Sequence, residues 1–123
     1  MDVQGARLVG EGLAFPEGPV ALADGTVLVV ELLAGRLSRI TPAGTELVAE
    51  PGGGPNGAAI GPDGAVYVCN NGGLRNGGGA RFERVDLATG AVERIVAQVG
   101  DHPLRAPNDL VFDRAGGDWF TDV

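Results

Sequence analysis

The sequence predicts an all-β fold, because one sixteen-residue pattern occurs three times and each copy reads as a β-hairpin. The copies begin at Pro16, Pro55 and Pro107 and read PEGPVALADGTVLVVE, PNGAAIGPDGAVYVCN and PNDLVFDRAGGDWFTD. They align without a gap, and their starts are 39 and then 52 residues apart. Each copy has two short apolar segments around a glycine-containing turn, which is the usual signature of a hairpin. A hairpin that recurs roughly every 40–50 residues is typical of a β-propeller, in which each blade has four strands.

The first blade is predicted at about residues 16–50. Its inner pair of strands is Pro19–Leu22 and Thr26–Glu31, and Arg36–Ile40 alternates as a third strand. A Pro/Gly turn then leads to Thr45–Ala49, which we expect to be the outer strand because charged residues flank it, as they do at exposed sheet edges.

The second blade is predicted at about residues 55–99, and the third copy supplies the first half of a third blade at about 107–123. Residues 1–123 are therefore predicted to form one partial propeller domain of about two and a half blades. The Gly/Asn-rich loop Asn71–Gly79 explains most of the longer second spacing. It is either a flexible lid or a wide connection, and we favour the connection. The remaining predicted strands are Gly57–Gly61, Ala65–Asn70, Arg81–Leu87, Ala91–Val99, Asn108–Asp113 and Asp118–Val123.

An oxygen-bearing side chain follows the shared proline in every copy, namely Glu17, Asn56 and Asn108. Equivalent positions in a propeller lie at equivalent depths around one axis, so these side chains should face a common channel. Carboxylate and amide oxygens are the ligands that Ca²⁺ prefers. The alternative is that Asn or Asp beside proline only starts a turn. The shared register of the three copies favours a ring of ligands.

The amino-acid composition and net charge exclude some classes of protein and some classes of binding partner. The chain has 22 Gly and 8 Pro, yet 44% of its residues are hydrophobic, which argues against disorder. The formal charge of −7 disfavours nucleic acid and anionic membrane surfaces as partners. Cys69 is the single cysteine, so no internal disulfide forms. No leader or apolar stretch of membrane-spanning length is present, and we expect a cytoplasmic protein.

Other reactive residue types have simpler explanations. His102 is the single histidine, in a crossover beside proline, and we expect it in a surface loop. No second histidine or serine-centred elbow supports a nucleophilic triad. Cys69 follows Val-Tyr-Val in a strand, so we expect a buried thiol. Asp109 should point away from its neighbour Asn108 by strand alternation, and Arg105 precedes the third copy, where an exposed ion pair is its simpler role.

The motifs FPEGP at Phe15–Pro19, PNG and PDG within Pro55–Gly64, and PNDLVFD…WFTD at Pro107–Asp122 resemble the gluconolactonase, senescence marker protein and luciferin-regenerating enzyme family. The resemblance covers nearly the whole chain but only the N-terminal part of such a protein. It implies a six-bladed propeller that binds a divalent cation, usually Ca²⁺ with Zn²⁺ or Mg²⁺ possible, at the mouth of the channel. It also implies a small-molecule substrate, a sugar lactone or related cyclic ester.

By the same resemblance, Glu17 is a metal ligand and Asn108 lies at the metal or contacts substrate. Three further candidates to line the site come from their sequence positions and not from the resemblance: Asn56 by its register in the repeat, Asp109 as the neighbour of Asn108, and Arg105 as a residue placed to hold an anionic substrate. The other family ligands come from later blades, so no catalytic residue is assigned and we expect this chain alone to be inactive. The alternative is a non-catalytic propeller piece that acts as a binding or assembly module. Self-association through the open strand edge is a further expectation.

Overall fold

The computed structural model describes residues 4–73 and 78–123, in which all regular structure is β and no helix occurs. Part of the loop 71–79 lies outside the described residues. No helix in the described ranges is long and apolar enough to cross a membrane. The strands are β1 (Pro16–Ala21), β2 (Val27–Glu31), β3 (Arg36–Thr41), β4 (Gly44–Ala49), β5 (Pro55–Ile60), β6 (Val66–Asn70), β7 (Arg81–Val85), β8 (Val92–Val96), β9 (Gln98–Val99), β10 (His102–Pro103), β11 (Pro107–Phe112) and β12 (Asp118–Asp122).

These strands form three main sheets, two of four strands and one of two, and a separate short ribbon of β9 and β10. The first sheet has the order β1-β2-β3-β4 and the second β5-β6-β7-β8, with every neighbouring pair antiparallel. The third sheet is the hairpin β11-β12. Each sheet begins with a copy of the repeated hairpin, so the all-β fold predicted from the repeat is confirmed.

The crossover to the third sheet differs from the prediction. We expected one long outer strand over Ala91–Val99, but β8 ends at Val96 and the chain bends at Ala97. A short ribbon follows, in which β9 pairs with β10 and Leu104 N–H donates to the Ala97 carbonyl at 2.9 Å. The sequence gives no alternation strong enough to predict a pair of two-residue strands. The described residues therefore hold twelve strands, slightly more than the repeat predicts.

Consecutive sheets pack face to face through two apolar clusters. The first cluster joins the first and second sheets and consists of Leu28, Val30, Leu37, Ala49, Ala58, Val66, Val68 and Val85. The second joins the second sheet to β11-β12 around Cys69, Phe82 and Leu110. In it, the rings of Phe82 and Phe120 stack with centroids 5.0 Å apart, and Tyr67 meets Phe112 edge to face at 5.0 Å. This packing sets the three inner strands β1, β5 and β11 side by side.

Each inner strand has an irregularity at the same place, near its first residues. The pairing register shifts between Glu17 and Val20 in β1, between Pro55 and Gly57 in β5, and between Pro107 and Leu110 in β11. Such bulges break the strict alternation of side chains and re-aim the residues beside them. All three lie at the residues that the sequence analysis proposes for a site.

Candidate functional site

A cavity of about 180 Å³ lies where the three inner strands begin. It brings together four of the predicted site residues, one or two from each copy of the repeat. Its lining is Glu17, Gly18, Pro19, Asn56, Ala58, Asn108 and Asp109. Arg105 is not part of this lining; it is exposed, and its backbone N–H donates to both carboxylate oxygens of Asp122 at 3.0 and 3.1 Å.

Two glycines let the inner strands approach closely enough to share this cavity. A Cβ on Gly18 would lie 2.6 Å from the backbone nitrogen of Ala58, and Gly18 also has a left-handed φ of 52°. A Cβ on Gly57 would lie 2.5 Å from the Asn108 carbonyl oxygen and 2.7 Å from Asp109 Cα. Contacts this short are forbidden, so only glycine allows the backbones to meet here. The second residue of each inner strand consequently reaches the same space.

A side-chain clasp at the last position of each copy holds the segment that leads into each inner strand. The clasp residues Glu31, Asn70 and Asp122 pair directly with the proline that opens their copy. Their oxygens accept backbone N–H groups just before that proline: Ala14 on Glu31 at 2.9 Å, Gly54 on Asn70 at 3.0 Å, and Ala106 on Asp122 at 2.7 Å. Sequence reasoning missed this role, although an oxygen-bearing side chain at position sixteen of all three copies was a visible signal.

The first clasp is a buried ionic centre. Glu31 has no exposed surface, and it receives Arg36 Nε at 2.6 Å, Arg36 Nη2 at 3.0 Å and Ser38 Oγ at 2.6 Å. The hydrogen bonds from Arg36, joined by those from Ser38 and Ala14, outweigh the cost of burial and lower the pKa of Glu31 from 4.5 to about 2. The carboxylate is therefore ionised and fixed at neutral pH.

The second clasp uses an amide where the first uses an acid. Asn70 is fully buried and donates through Nδ2 to Glu83 Oε2 at 3.2 Å, while Arg81 pairs with the other oxygen of Glu83. In the first sheet the acid that pairs with the arginine is Glu31 on the second strand, whereas in the second sheet it is Glu83 on the third strand. The buried clasp residues Glu31 and Asn70 are thus satisfied by groups of their own sheet and of the segment that leads into it.

The cavity presents oxygen donors that suit a hard cation. Within residues 4–73 and 78–123, the side chains of Glu17, Asn56 and Asn108 are not engaged in hydrogen bonds with other protein groups, so their oxygens are available to a ligand. The same ranges contain no cluster of three His, Cys, Asp or Glu side chains that would hold a metal. Binding of a cation here consequently requires the amide oxygens of Asn56 and Asn108 beside the carboxylates, which is a donor set that Ca²⁺ accepts.

Asp109 lies on this cavity, contrary to the alternation that placed it on the opposite side from Asn108. The register shift between Pro107 and Leu110 explains the difference, because alternation fails across a bulge. Asp109 Oδ1 lies 3.0 Å from where a Gly57 Cβ would be, between β5 and β11, and it accepts Leu110 N–H at 2.9 Å. The cavity thus has two carboxylates, from Glu17 and Asp109.

The other reactive side chains lie elsewhere. Cys69 is fully buried, and burial, with the nearby charges of Asp109, Asp118 and Asp122, raises its thiol pKa to about 12. Such a thiol is protonated and unreactive at neutral pH. His102 is exposed in β10 and does not line the cavity.

The fold and the cavity together define a propeller-type protein whose inner strands present oxygen-bearing side chains to a shared space. The chain belongs to a known family of such proteins: the model of the SMP-30/Gluconolactonase/LRE-like region matches residues 15–123. This match shows the family that the motifs of the three copies had suggested.

Known relatives and solved structures agree with this assignment. A gluconolactonase of Zymomonas mobilis is 27% identical over an alignment 131 residues long, gaps included, that covers 94% of this chain and 35% of that protein. The structure of a gluconolactonase from Xanthomonas campestris superposes with a TM-score of 0.78 at 26% identity, covering 93% of this chain and 37% of that one. A putative gluconolactonase structure gives a TM-score of 0.75 at 27% identity, covering 98% and 41%.

A more distant structure shares the fold alone. Virginiamycin B lyase from Staphylococcus aureus superposes with a TM-score of 0.63 at 22% identity, covering 91% of this chain and 36% of that one. Across all four comparisons the chain spans between 35% and 41% of the length of the protein it matches. The similarity therefore extends over this chain but over little more than a third of each relative.

Proposed function

We propose that the chain contributes part of the active site of a divalent-cation-dependent lactone hydrolase. Family membership and the gluconolactonases among its relatives support this proposal. The single observation that assigns this proposed function to particular residues is the shared cavity. It is lined by Glu17, Asn56, Asn108 and Asp109, which come from three separate strands. The proposed substrate is a small sugar lactone or a related cyclic ester.

Glu17 and Asn108 are the proposed cation ligands, and Asn56 and Asp109 complete the polar lining. When bound, Ca²⁺ would polarise the ester carbonyl and stabilise the charge that develops on its oxygen. The cavity is smaller than the roughly 300–1,000 Å³ usual for drug-sized ligands, so its size fits a cation with its waters rather than a whole substrate. Zn²⁺ and Mg²⁺ are less suited, because the lining has no nitrogen or sulfur ligand and no rigid octahedral set.

The chain's own residues have two tasks in this proposal. Glu17 supplies negative charge at the start of β1, and Asp109 lines the same cavity with a carboxylate that accepts one hydrogen bond, from Leu110 N–H. Asn56 and Asn108 each present either an amide oxygen to a cation or an N–H donor to a ligand hydroxyl. The clasps and the close approach at Gly57 fix the backbone from which these side chains extend.

Calorimetric titration of the purified chain with Ca²⁺ tests the site. Ca²⁺ takes six to eight oxygens and the cavity offers fewer from side chains, so we expect a dissociation constant of about 1 mM, as in weak extracellular sites. Glu17→Gln should weaken binding about tenfold, whereas Glu46→Gln, on exposed β4, is the matched control and should leave it unchanged. Equal affinities of the two variants would place the cation elsewhere.

A lactone hydrolysis assay on the same sample distinguishes the two candidate functions, a hydrolase and a non-catalytic binding module. The second candidate, a non-catalytic module, is favoured by the lack of a three-residue acidic, His or Cys cluster in the described ranges. For the chain alone we expect little or no turnover of gluconolactone. Tight Ca²⁺ binding with metal-dependent turnover by a monomer would overturn this expectation. A cytoplasmic location remains part of the proposal; the single cysteine has no partner for a disulfide within the given sequence, so nothing in it requires an oxidising compartment.

A further inference from the structure

Phe15, the residue just before the first inner strand, has a strained backbone. Its φ is 62°, and it is the only non-glycine residue with a left-handed φ within residues 4–73 and 78–123. In this region the Cβ of any residue other than glycine crowds the carbonyl oxygen that follows it. Strained residues persist where surrounding bonds hold them, and they cluster at functional sites.

The strain at Phe15 accompanies an offset in the first clasp. In the second and third hairpins the clasp accepts the N–H of the residue directly before the proline, which is Gly54 or Ala106. In the first hairpin Glu31 accepts the N–H of Ala14, one residue earlier. Neither Gly54 nor Ala106 has a left-handed φ. Phe15 is therefore the residue at which the first entry segment departs from the other two.

Local hydrogen bonds hold Phe15 in this conformation. Its N–H donates to the Leu13 carbonyl at 3.2 Å, and its own carbonyl accepts Leu32 N–H at 3.0 Å. The neighbouring Ala14 carbonyl accepts Leu33 N–H at 3.2 Å. All of these partners belong to the entry segment of the first hairpin or to the turn that follows the hairpin. The conformation of Phe15 is thus set within the first sheet.

The ring of Phe15 is not part of the apolar core. The other three phenylalanines of the chain lie in the second apolar cluster, where each packs against Tyr67 or against another phenylalanine. Phe15 belongs to neither cluster, and it is 53% exposed. Because burial of the ring does not offset the strain of the backbone, a ligand-binding role explains this side chain better than packing does.

The size of the cavity requires a contact outside its lining. A volume of about 180 Å³ suits a cation with its waters, so a ring-shaped substrate must extend past the lining residues towards the entry segments. The residues directly before the three inner strands are Phe15, Gly54 and Ala106, and only Phe15 has a large apolar side chain. Consecutive Cα atoms are about 3.8 Å apart, so the Cα atoms of Phe15 and Glu17 lie within about 7.6 Å of each other.

We propose that Phe15 is a substrate-contacting residue whose ring packs against the apolar ring face of a cyclic ester while the ester carbonyl points to the cation site at Glu17 and Asn108. This inference rests on the proposed function and adds a specificity-determining contact to it. The constrained backbone of Phe15 fixes the direction of its Cα–Cβ bond, which limits where the ring can lie. An aromatic face in this place favours a compact cyclic ester over an open-chain ester of the same size.

NMR titration with γ-butyrolactone, a small and stable cyclic ester, tests this contact. The chain is labelled with carbon-13 in its phenylalanine rings and kept in excess Ca²⁺. We expect the ring signals of Phe15 to shift until they saturate, while those of Phe82, Phe112 and Phe120, in the second cluster, stay in place. Methyl propanoate, an open-chain ester of similar size, should bind about threefold more weakly, because it presents no ring face.

Variants of Phe15 separate the effect of its ring from that of its backbone. Phe15→Ala and Phe15→Gly should each weaken γ-butyrolactone binding about fivefold, whereas Phe15→Tyr should retain it. The amide signals of Gly18 and Ala58, which line the cavity, follow binding in every variant. Phe15→Gly should unfold at a higher urea concentration than Phe15→Ala, because only glycine relieves the left-handed strain. Leu47→Ala, at another exposed apolar residue on β4, is the matched control and should leave lactone binding unchanged.

The possible results distinguish this contact from the cation site. Lactone-dependent shifts at Gly18 and Ala58 without any at the Phe15 ring, or equal affinities of the natural chain and Phe15→Ala, would overturn the role of Phe15 and leave the cation site standing. Shifts of the Phe15 ring in a chain that binds no Ca²⁺ would overturn the cation site and keep the contact. Absence of any lactone-dependent shift would overturn the contact whether or not Ca²⁺ binds. A Phe15→Gly variant less stable than Phe15→Ala would overturn the strain from which the contact is inferred.

Discussion

Asn70 Oδ1 accepts the backbone N–H of Gly54 at 3.0 Å, which ties the last residue of β6 to the residue just before β5. The same oxygen accepts Gly72 N–H at 3.0 Å, and Nδ2 donates to the Gly52 carbonyl at 2.9 Å. The buried Asn70 amide thus holds the backbone both before and after the second inner hairpin, at Gly52 and Gly54 on one side and at Gly72 on the other.

Asn70→Ala should destabilise the fold by about 3 kcal/mol, because it leaves buried N–H, C=O and carboxylate groups without partners. Asn71→Ala is the matched control, since Asn71 is only half-buried and its Oδ1 accepts the single N–H of Gly73. We expect it to cost no more than about 1 kcal/mol. Urea unfolding followed by circular dichroism measures both. Equal losses in the two variants would show that the clasp adds little.

Acid should remove the stabilisation that Glu31 provides. Its pKa is lowered in the folded state from 4.5 to about 2, so its contribution is complete above pH 4.5 and disappears as the pH falls towards 2. Arg36 is partly exposed, which weakens the pair, and we expect the contribution at pH 7 to be about 2 kcal/mol.

Urea unfolding at a series of pH values checks this behaviour. Glu31→Gln should be less stable than the natural chain at pH 7, and the two should converge only as the pH falls to about 2 and below, where Glu31 becomes protonated in the folded chain as well. Glu46→Gln, at an exposed position of β4, should keep the steep loss between pH 4.5 and 2. An unchanged acid transition in Glu31→Gln would show that other carboxyls control it.

Gly57→Ala should separate the second and third inner strands. The added methyl would meet the Asn108 carbonyl oxygen at 2.5 Å, so backbone must move, at a cost of about 2–3 kcal/mol. Gly64→Ala is the control: Gly64 has φ of 80° with no atom within 4 Å, so only the conformational cost of about 1 kcal/mol applies. Gly57→Ala should also weaken Ca²⁺ binding in calorimetry. If Gly64→Ala were the more harmful change, close strand approach would not be the constraint.

Cys69 should resist alkylation in the folded protein. Burial raises its pKa to about 12, so almost no thiolate exists at pH 8, and the sulfur has no exposed surface. Iodoacetamide labelling followed by mass spectrometry should show slow modification in buffer and complete modification in urea. Labelling at the same rate in both conditions would mean that the interface between the second sheet and β11-β12 opens readily.

The repeat was enough to predict the inner hairpins and the convergence of Glu17, Asn56 and Asn108 on one space. Local alternation and turn residues determine the hairpins, and the shared position in the repeat predicts the convergence, so both can be read from sequence. The position of Asp109 could not be predicted in this way, because a bulge depends on how β11 pairs with β12. The clasps were missed for a related reason. Their bonds join residues about sixteen positions apart, and only the paired strands bring them together.

The metal role of Glu17 and Asn108 stays a prediction, and so does the choice of Ca²⁺. Their oxygens lie on a common cavity, but affinity depends on the number and placement of all ligands, including waters. The boundaries of the blades likewise stay as predicted from the repeat. Sequence periodicity fixes where a hairpin begins far better than it fixes where a unit of the fold ends.

The clasps also bear on how such a chain could have grown. In each inner hairpin the last side chain accepts a hydrogen bond from the backbone just before the first residue of the same hairpin. The segment that leads into the hairpin is therefore held by the hairpin itself and not by a neighbouring sheet. A segment with that property can be duplicated as a block and inserted at a new place without losing its anchor. The intervals between copies are then free to lengthen, as the 39-residue and 52-residue spacings show.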